Sequence, residues 1–68
     1  MSWKDTALQH AKKDAPYEAC GLLAIHKGKE KYYPCKNIAE DLTDQFIIDP
    51  DDWIKTEDEA EITAVVHS

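Results

Sequence analysis

Arginine is absent from this 68-residue sequence, and its eight bases face fourteen acids, for a formal net charge of −6. Phosphate contacts need clustered Lys and Arg, so this balance excludes nucleic-acid binding as a function class. The one concentration of bases, Lys27, Lys29 and Lys31 around Gly28, reads as a solvated turn. An acidic surface is also a poor partner for anionic membranes. No apolar run approaches the ~20 residues of a membrane span. The opening MSWKDTALQH lacks the apolar core of a signal peptide. Together these absences lead to the expectation of a cytoplasmic product. Cysteine is scarce: Cys20 and Cys35 allow a single disulfide and no disulfide scaffold. Two reduced, mostly buried thiols are the expectation. Internal repeats and low-complexity segments are missing too.

What is present is a foldable composition, 43% apolar and 32% charged. A chain of about 60 residues buries only roughly 60% of its unfolded surface, so one small domain of marginal stability is the most the length allows.

Residues 3 to 14 read as a helix, with Trp3, Ala7, Leu8 and Ala11 on one face. Ser2 is the expected N-cap, with Asp5 three residues on as a short-armed capping box, and Pro16 ends the helix. CGLLAI, residues 20 to 25, is a continuous apolar run that suits a strand buried on both faces. HKGKE makes a turn, and KYYPCKNI, residues 31 to 38, returns as a second strand. Pro34 cannot donate a ladder hydrogen bond, which places that strand at an edge or on a bulge. AEDLTD reads as linker and QFIID as a short third strand. Asp49-Pro50 starts a second helix, with Asp51 and Asp52 in its first turn and Trp53 and Ile54 on its buried face. Glu57, Asp58, Glu59 and Glu61 are unfavourable at a helix C-terminus, so the helix is expected to end near Thr56. ITAVVH is the last strand. The expected fold is α+β in the order α-β-β-β-α-β, a mixed sheet flanked by helices.

Several residues invite a chemical reading. The acids from Asp49 to Asp52 do not form an EF-hand loop, whose sixth and twelfth positions would be Ile54 and Ala60 instead of glycine and glutamate. Cys20 with His26 or His67 as base is a weak nucleophile pair, because a reactive thiol needs an accessible, electropositive setting and Cys20 opens an apolar run. His10 and His26 read as surface residues. Glu18 is held between Pro16-Tyr17 and the buried strand, where a carboxylate can serve as a general base; physics alone favours a plain loop acid there. His67 is strand-borne, on the face of Thr63 and Val65. A lone histidine cannot hold a catalytic zinc, which takes three protein ligands and an open position.

Taken together, PYEACGLLA (16–24) and AVVHS (64–68) resemble two anchor points of the JAMM/MPN metallopeptidase family. That family has an upstream glutamate, then His-x-His-Pro at a strand end, seven residues, and Ser-x-x-Asp. Glu18 matches the glutamate and His67 the first histidine. KYYPCKNIAEDLTDQFIIDPDDW (31–53) is similar to a segment of the tail-tip assembly proteins of lambda-like phages, in which a JAMM domain precedes an NlpC/P60 cysteine-peptidase domain.

The resemblance implies a partial MPN-like fold over 1–68, a single incomplete domain stopping inside its metal motif, with Ser68 as the spacer between two histidines. In the complete domain it implies a zinc-dependent hydrolase of amide or isopeptide bonds, with His67 a metal ligand and Glu18 the general acid/base. With one ligand of three, the 68 residues are expected to be inactive and to bind zinc poorly. Implied partners are phage tail-tip proteins or a peptide or isopeptide substrate, with the virion tail tip as a further location. An open sheet edge would invite self-association. The competing reading is a non-catalytic MPN-like interaction module in tail assembly; the ligands that accompany Glu18 and His67 in the longer protein separate the two.

Overall fold

In the computed structural model, which describes residues 2–68, helix α1 spans Trp3–Asp14. Ser2 sits at the N-cap in extended geometry, but its side chain makes no capping bond. Its hydroxyl turns to the Asp5 carboxylate at 3.5 Å, and Asp5 N–H bonds the Ser2 carbonyl instead, so the capping box does not form. Trp3, Ala7 and Ala11 are half-buried as expected, whereas Leu8 is 54% exposed. Its place on the inward stripe is taken by His10, which follows Trp3 and Ala7 at helical spacing. His10 was expected at the surface; its side chain is only 15% exposed because Tyr32 offers it a polar partner.

Strand β1 (Cys20–His26) is the central strand, flanked by β2 (Lys29–Cys35) and β3 (Glu61–His67) in the order β2-β1-β3. Its residues Cys20 to Ala24 are all buried, which is what an apolar run without alternation requires. Lys27 and Gly28 both have positive φ, 51° and 80°, and close a two-residue hairpin between His26 and Lys29. Pro34 lies on an edge strand, as its missing N–H demands.

Both pairings are antiparallel, which corrects the expected mixed sheet. β2 and β3 run the same way, but β1 lies between them, so no parallel neighbours exist among the described residues. QFIID is also not a strand. It touches the chain before it through one bridge, Asn37 to Ile48, and the N–H of Ile47 goes to the Asn37 side chain instead of a ladder partner. The order is therefore α-β-β-α-β.

The register shifts between β1 and β3, pairing Leu23 with Ala64 and Ala24 with Ile62. Thr63 is the extra residue, and its hydroxyl donates to the Leu23 carbonyl at 3.2 Å. A bulge of this kind resets the alternation. It puts Ile62 and Val65 on one face, where regular spacing would split them.

Helix α2 (Pro50–Glu59) starts as expected, with the Asp49 carboxylate accepting from Asp51 N–H and Pro50 in the first turn. It does not end near Thr56. Thr56 is buried and its hydroxyl bonds the Asp52 carbonyl, while Glu57, Asp58 and Glu59 are exposed. Water screens their unfavourable interaction with the helix dipole, worth only about 0.3–1 kcal/mol in exposed settings. Ile54 is 55% exposed; Trp53 alone of that pair reaches the core.

The core lies on the α2 face, where Cys20, Leu22 and Cys35 pack with Tyr33, Phe46, Ile48, Trp53 and Ile62. Gly21, Leu23 and Tyr32 form the opposite face, under α1.

Candidate functional site

The pairing of β1 with β3 determines which loop residues meet the last strand. Cys20 pairs with His67, so the residues just before β1 lie beside the end of β3. Ser68 N–H donates to the Ala19 carbonyl at 3.0 Å, and Ala19 N–H donates to Ser68 Oγ at 2.9 Å. This two-bond clasp holds Glu18 next to His67. Glu18 Oε1 lies 3.7 Å from His67 Nδ1, with the carboxylate side chain 25% exposed and the imidazole 55%. The sequence places these residues 49 positions apart by number; the sheet brings them together.

Three further contacts define this corner. Phe46 stacks on the His67 ring at 4.6 Å between centroids and 20° between planes. Glu18 N–H donates to the Leu42 carbonyl, and Asn37 Nδ2 donates to the Glu18 carbonyl at 3.1 Å. The same Asn37 side chain donates to Gln45 and accepts from Ala39 and Ile47 N–H. Asn37 thus fastens the 37–47 loop, which carries Phe46, to the backbone of Glu18. Sequence reasoning missed both Asn37 and Phe46. The available signal was an Asn opening a long polar connection, the setting in which a side-chain amide replaces missing ladder bonds.

An apolar cavity of about 310 Å³ lies between α1 and the sheet, lined by Trp3, Ala7, Ala11, Tyr32 and Val66, and reaches His67 and Ser68. Of the pair, the His67 imidazole lines this hollow, and the Glu18 carboxylate sits beside that ring.

The other candidates separate from this corner. Cys20 faces His67 in register, yet it is fully buried and its thiol points to the Cys35 carbonyl at 3.8 Å. Burial pushes the Cys20 thiol up, and the carboxylates of Asp14 and Asp52 add to the effect. That is the reverse of what a nucleophilic thiolate needs. Cys35 sits opposite Cys20 in register, free and buried, its thiol raised to about 12 chiefly by burial. His26 is at the far end of β1, with Nδ1 3.0 Å from the Glu59 carbonyl. Asp49 caps α2, accepting from Asp51 N–H at 3.0 Å, and Asp52 in the first turn accepts from Lys36 N–H at 2.8 Å.

The described residues do not by themselves supply the ligand set of a zinc ion. Among the described residues no group of three His, Cys, Asp or Glu side chains is placed to hold a metal. His67 offers one imidazole, and its Nδ1 is turned toward Glu18 and, at 3.2 Å, the Ser68 carbonyl. None of the described helices is long and apolar enough to cross a membrane.

Residues 2–68 match the family described as prokaryotic homologs of the JAB domain. The chain is also 36% identical over 64 residues to tail tip assembly protein K of Escherichia phage N15, an alignment covering 94% of this chain and 26% of that protein. The chain thus spans about a quarter of the length of the curated relative it matches. No solved structure matches it. With nearly every residue inside the family match, the chain belongs to the prokaryotic homologs of the JAB domain.

Proposed function

We propose that these residues are the part of a JAB-type peptidase domain that carries its proton-handling carboxylate and one of its histidines, working in phage tail assembly. The observation that supports this reading is the Glu18–His67 contact at 3.7 Å. Two residues far apart in sequence, each singled out by a family motif, share one corner beside an apolar hollow. A carboxylate so placed can take a proton from an attacking water and hand it to a leaving amine. The substrate class is an amide or isopeptide bond. The tail-assembly setting rests on the similarity to the phage N15 protein.

Glu18 and His67 alone do not complete a hydrolase. The metal ligands that would accompany His67 are proposed to lie elsewhere in the longer protein. The isolated chain is proposed to be inactive and a poor zinc binder. The partners are other tail proteins, with the host cytoplasm or the tail tip as the place of action.

A non-catalytic assembly module is the second reading; it differs from the first in lacking the ligands that would accompany His67 in the longer protein. The two are distinguished by the coding sequence beyond the Ser68 codon. A histidine two residues past His67 and a later Ser-x-x-Asp support the hydrolase. A frame without them overturns it and leaves Glu18 a structural acid.

A further inference from the structure

Cys20 and Cys35 are the two cysteines of the chain, both free, and they are register partners in the antiparallel β1–β2 hairpin. Directly opposed residues of such a pair share a face, with Cα atoms about 4.5–5.5 Å apart. That separation falls within the roughly 4.4–6.8 Å that disulfides span. Both side chains belong to one buried cluster with Leu22. Each thiol is turned to a backbone carbonyl, Cys20 Sγ to Cys35 at 3.8 Å and Cys35 Sγ to Tyr33 at 3.4 Å. These are weak S–H bonds, and a turn about each Cα–Cβ bond frees the sulfurs to meet. Cys20 opens β1 and Cys35 closes β2, at the end of the hairpin away from the Lys27-Gly28 turn. The juxtaposition is internal to the β1–β2 pair and needs no free surface.

We propose that Cys20 and Cys35 are a two-thiol redox site, which a small-molecule disulfide oxidises to one cross-strand disulfide that staples the open end of the β1–β2 hairpin. One cysteine thiolate attacks the small disulfide, forms a mixed disulfide and releases one small thiolate. The other cysteine thiolate then attacks the protein-bound sulfur and releases the second. The protein gives up two electrons and two protons, and the small disulfide leaves as two thiols. Burial raises both cysteine thiols, Cys35 to about 12, so exchange is slow in the closed fold and runs through local opening of the hairpin end. The cysteines are 15 positions apart, and linking a loop of that size removes entropy from the unfolded chain. The staple also ties together the two segments that hold Glu18. Glu18 and Ala19 run directly into Cys20, and Asn37, which donates to the Glu18 carbonyl at 3.1 Å, follows closely after Cys35. Oxidation therefore stiffens that corner. The inference rests on the strand register and is independent of the hydrolytic reading of Glu18 and His67.

The test incubates the reduced, 15N-labelled 68-residue chain with excess oxidised glutathione and follows acid-quenched samples by mass. The expected main product is a monomer lighter by two hydrogen atoms. A chain with two cysteines closes the same bond when unfolded, so the deciding quantity is the equilibrium constant against glutathione, measured in native buffer and in urea. The folded chain is expected to favour the disulfide at least tenfold more than the unfolded one. By linkage the oxidised chain then melts higher, by about 5 °C or more for a domain of this size. Its amide spectrum is expected to keep native dispersion, with shifts centred on Ala19 to Leu22 and Cys35 to Asn37 and slower exchange of the Glu18 amide. Glutathione adducts or disulfide-linked dimers as the main product, equal equilibrium constants in the two solvents, or a melting temperature that falls on oxidation would each overturn the proposal.

Discussion

The Nδ1 atom of His10 lies 2.6 Å from the Tyr32 hydroxyl, and Nε2 of the same ring lies 3.1 Å from Asp14 Oδ2. A neutral imidazole with its proton on Nε2 satisfies both, donating to Asp14 and accepting from Tyr32. The contact ties α1 to the edge strand β2 on the face of the sheet opposite the Cys20–Leu22–Cys35 core. His10→Ala leaves the Tyr32 hydroxyl without that partner, and the expected loss is about 1–3 kcal/mol. Urea denaturation of His10→Ala, Tyr32→Phe and the double variant measures it. Strictly additive effects would show that the two side chains do not interact.

Tyr32 also carries a pH dependence. Burial, followed by Cys20, Cys35 and Asp14, raises its hydroxyl to about 12. Cys35 is raised to about 12 as well, chiefly by burial. Unfolded, the two groups titrate near about 10 and 8.5. A group whose pKa is higher in the folded state contributes fully below its unfolded pKa and loses that contribution as pH climbs to the folded one. Stability is therefore expected to hold through neutral pH and to fall from about pH 8.5 toward 12. Denaturation midpoints across that range test it; Cys35→Ala should make the fall from about pH 8.5 shallower, leaving the share carried by Cys20, and Tyr32→Phe should make it shallower above about pH 10.

Gly21 supports the same face in another way. A Cβ built on Gly21 would collide with the Tyr32 ring, at its Cζ, Cε1 and hydroxyl atoms. The need is one of space, since no positive φ is recorded for Gly21. Gly21→Ala should cost about 1–3 kcal/mol as overpacking. The cost should shrink in a Tyr32→Leu background; an undiminished cost there would place the strain elsewhere.

Elements that depend on local chemistry were legible in the sequence. The span of α1, the burial of CGLLAI, the edge position of Pro34 and the Asp49-Pro50 start of α2 follow from periodicity, capping and proline geometry. What was not legible depends on tertiary partners. QFIID has strand composition, yet Asn37 takes the Ile47 N–H that a strand would have used. His10 looks exposed beside its lysines until Tyr32 is placed across from it. The end of α2 was misjudged because solvation weakens the dipole penalty on Glu57, Asp58 and Glu59. Glu18 and His67 were paired through a family resemblance, and only the β1–β3 register explains physically why they meet.

Asn37 gives the loop its shape, with four hydrogen bonds to the backbone of Glu18, Ala39, Gln45 and Ile47. Asn37→Ala is expected to lose about 1–3 kcal/mol, because four backbone groups, those of Glu18 and Ala39 partly buried, lose their partner together. Amide exchange should quicken at Ala39 and Ile47 well before the sheet opens. Unchanged exchange at both positions would show that the loop holds itself without the side chain.

The Glu18–His67 pair should do little for stability. It is 3.7 Å long and the imidazole is 55% exposed, so it resembles the surface ion pairs that contribute about 0–1 kcal/mol. Glu18→Gln is expected to leave the midpoint nearly unchanged, whereas Phe46→Ala, which strips a ring from the core side of His67, should lower it. A chelator should leave the melting temperature where it is, since a metal that binds only the folded state would raise stability with its concentration. Competition with a chromophoric chelator should return weak zinc binding that His67→Ala reduces further. Tight binding with a chelator-sensitive melting temperature would mean that side chains not grouped in this fold can still assemble around a metal. The Glu18 corner would then be one half of a site that the 68 residues complete by themselves.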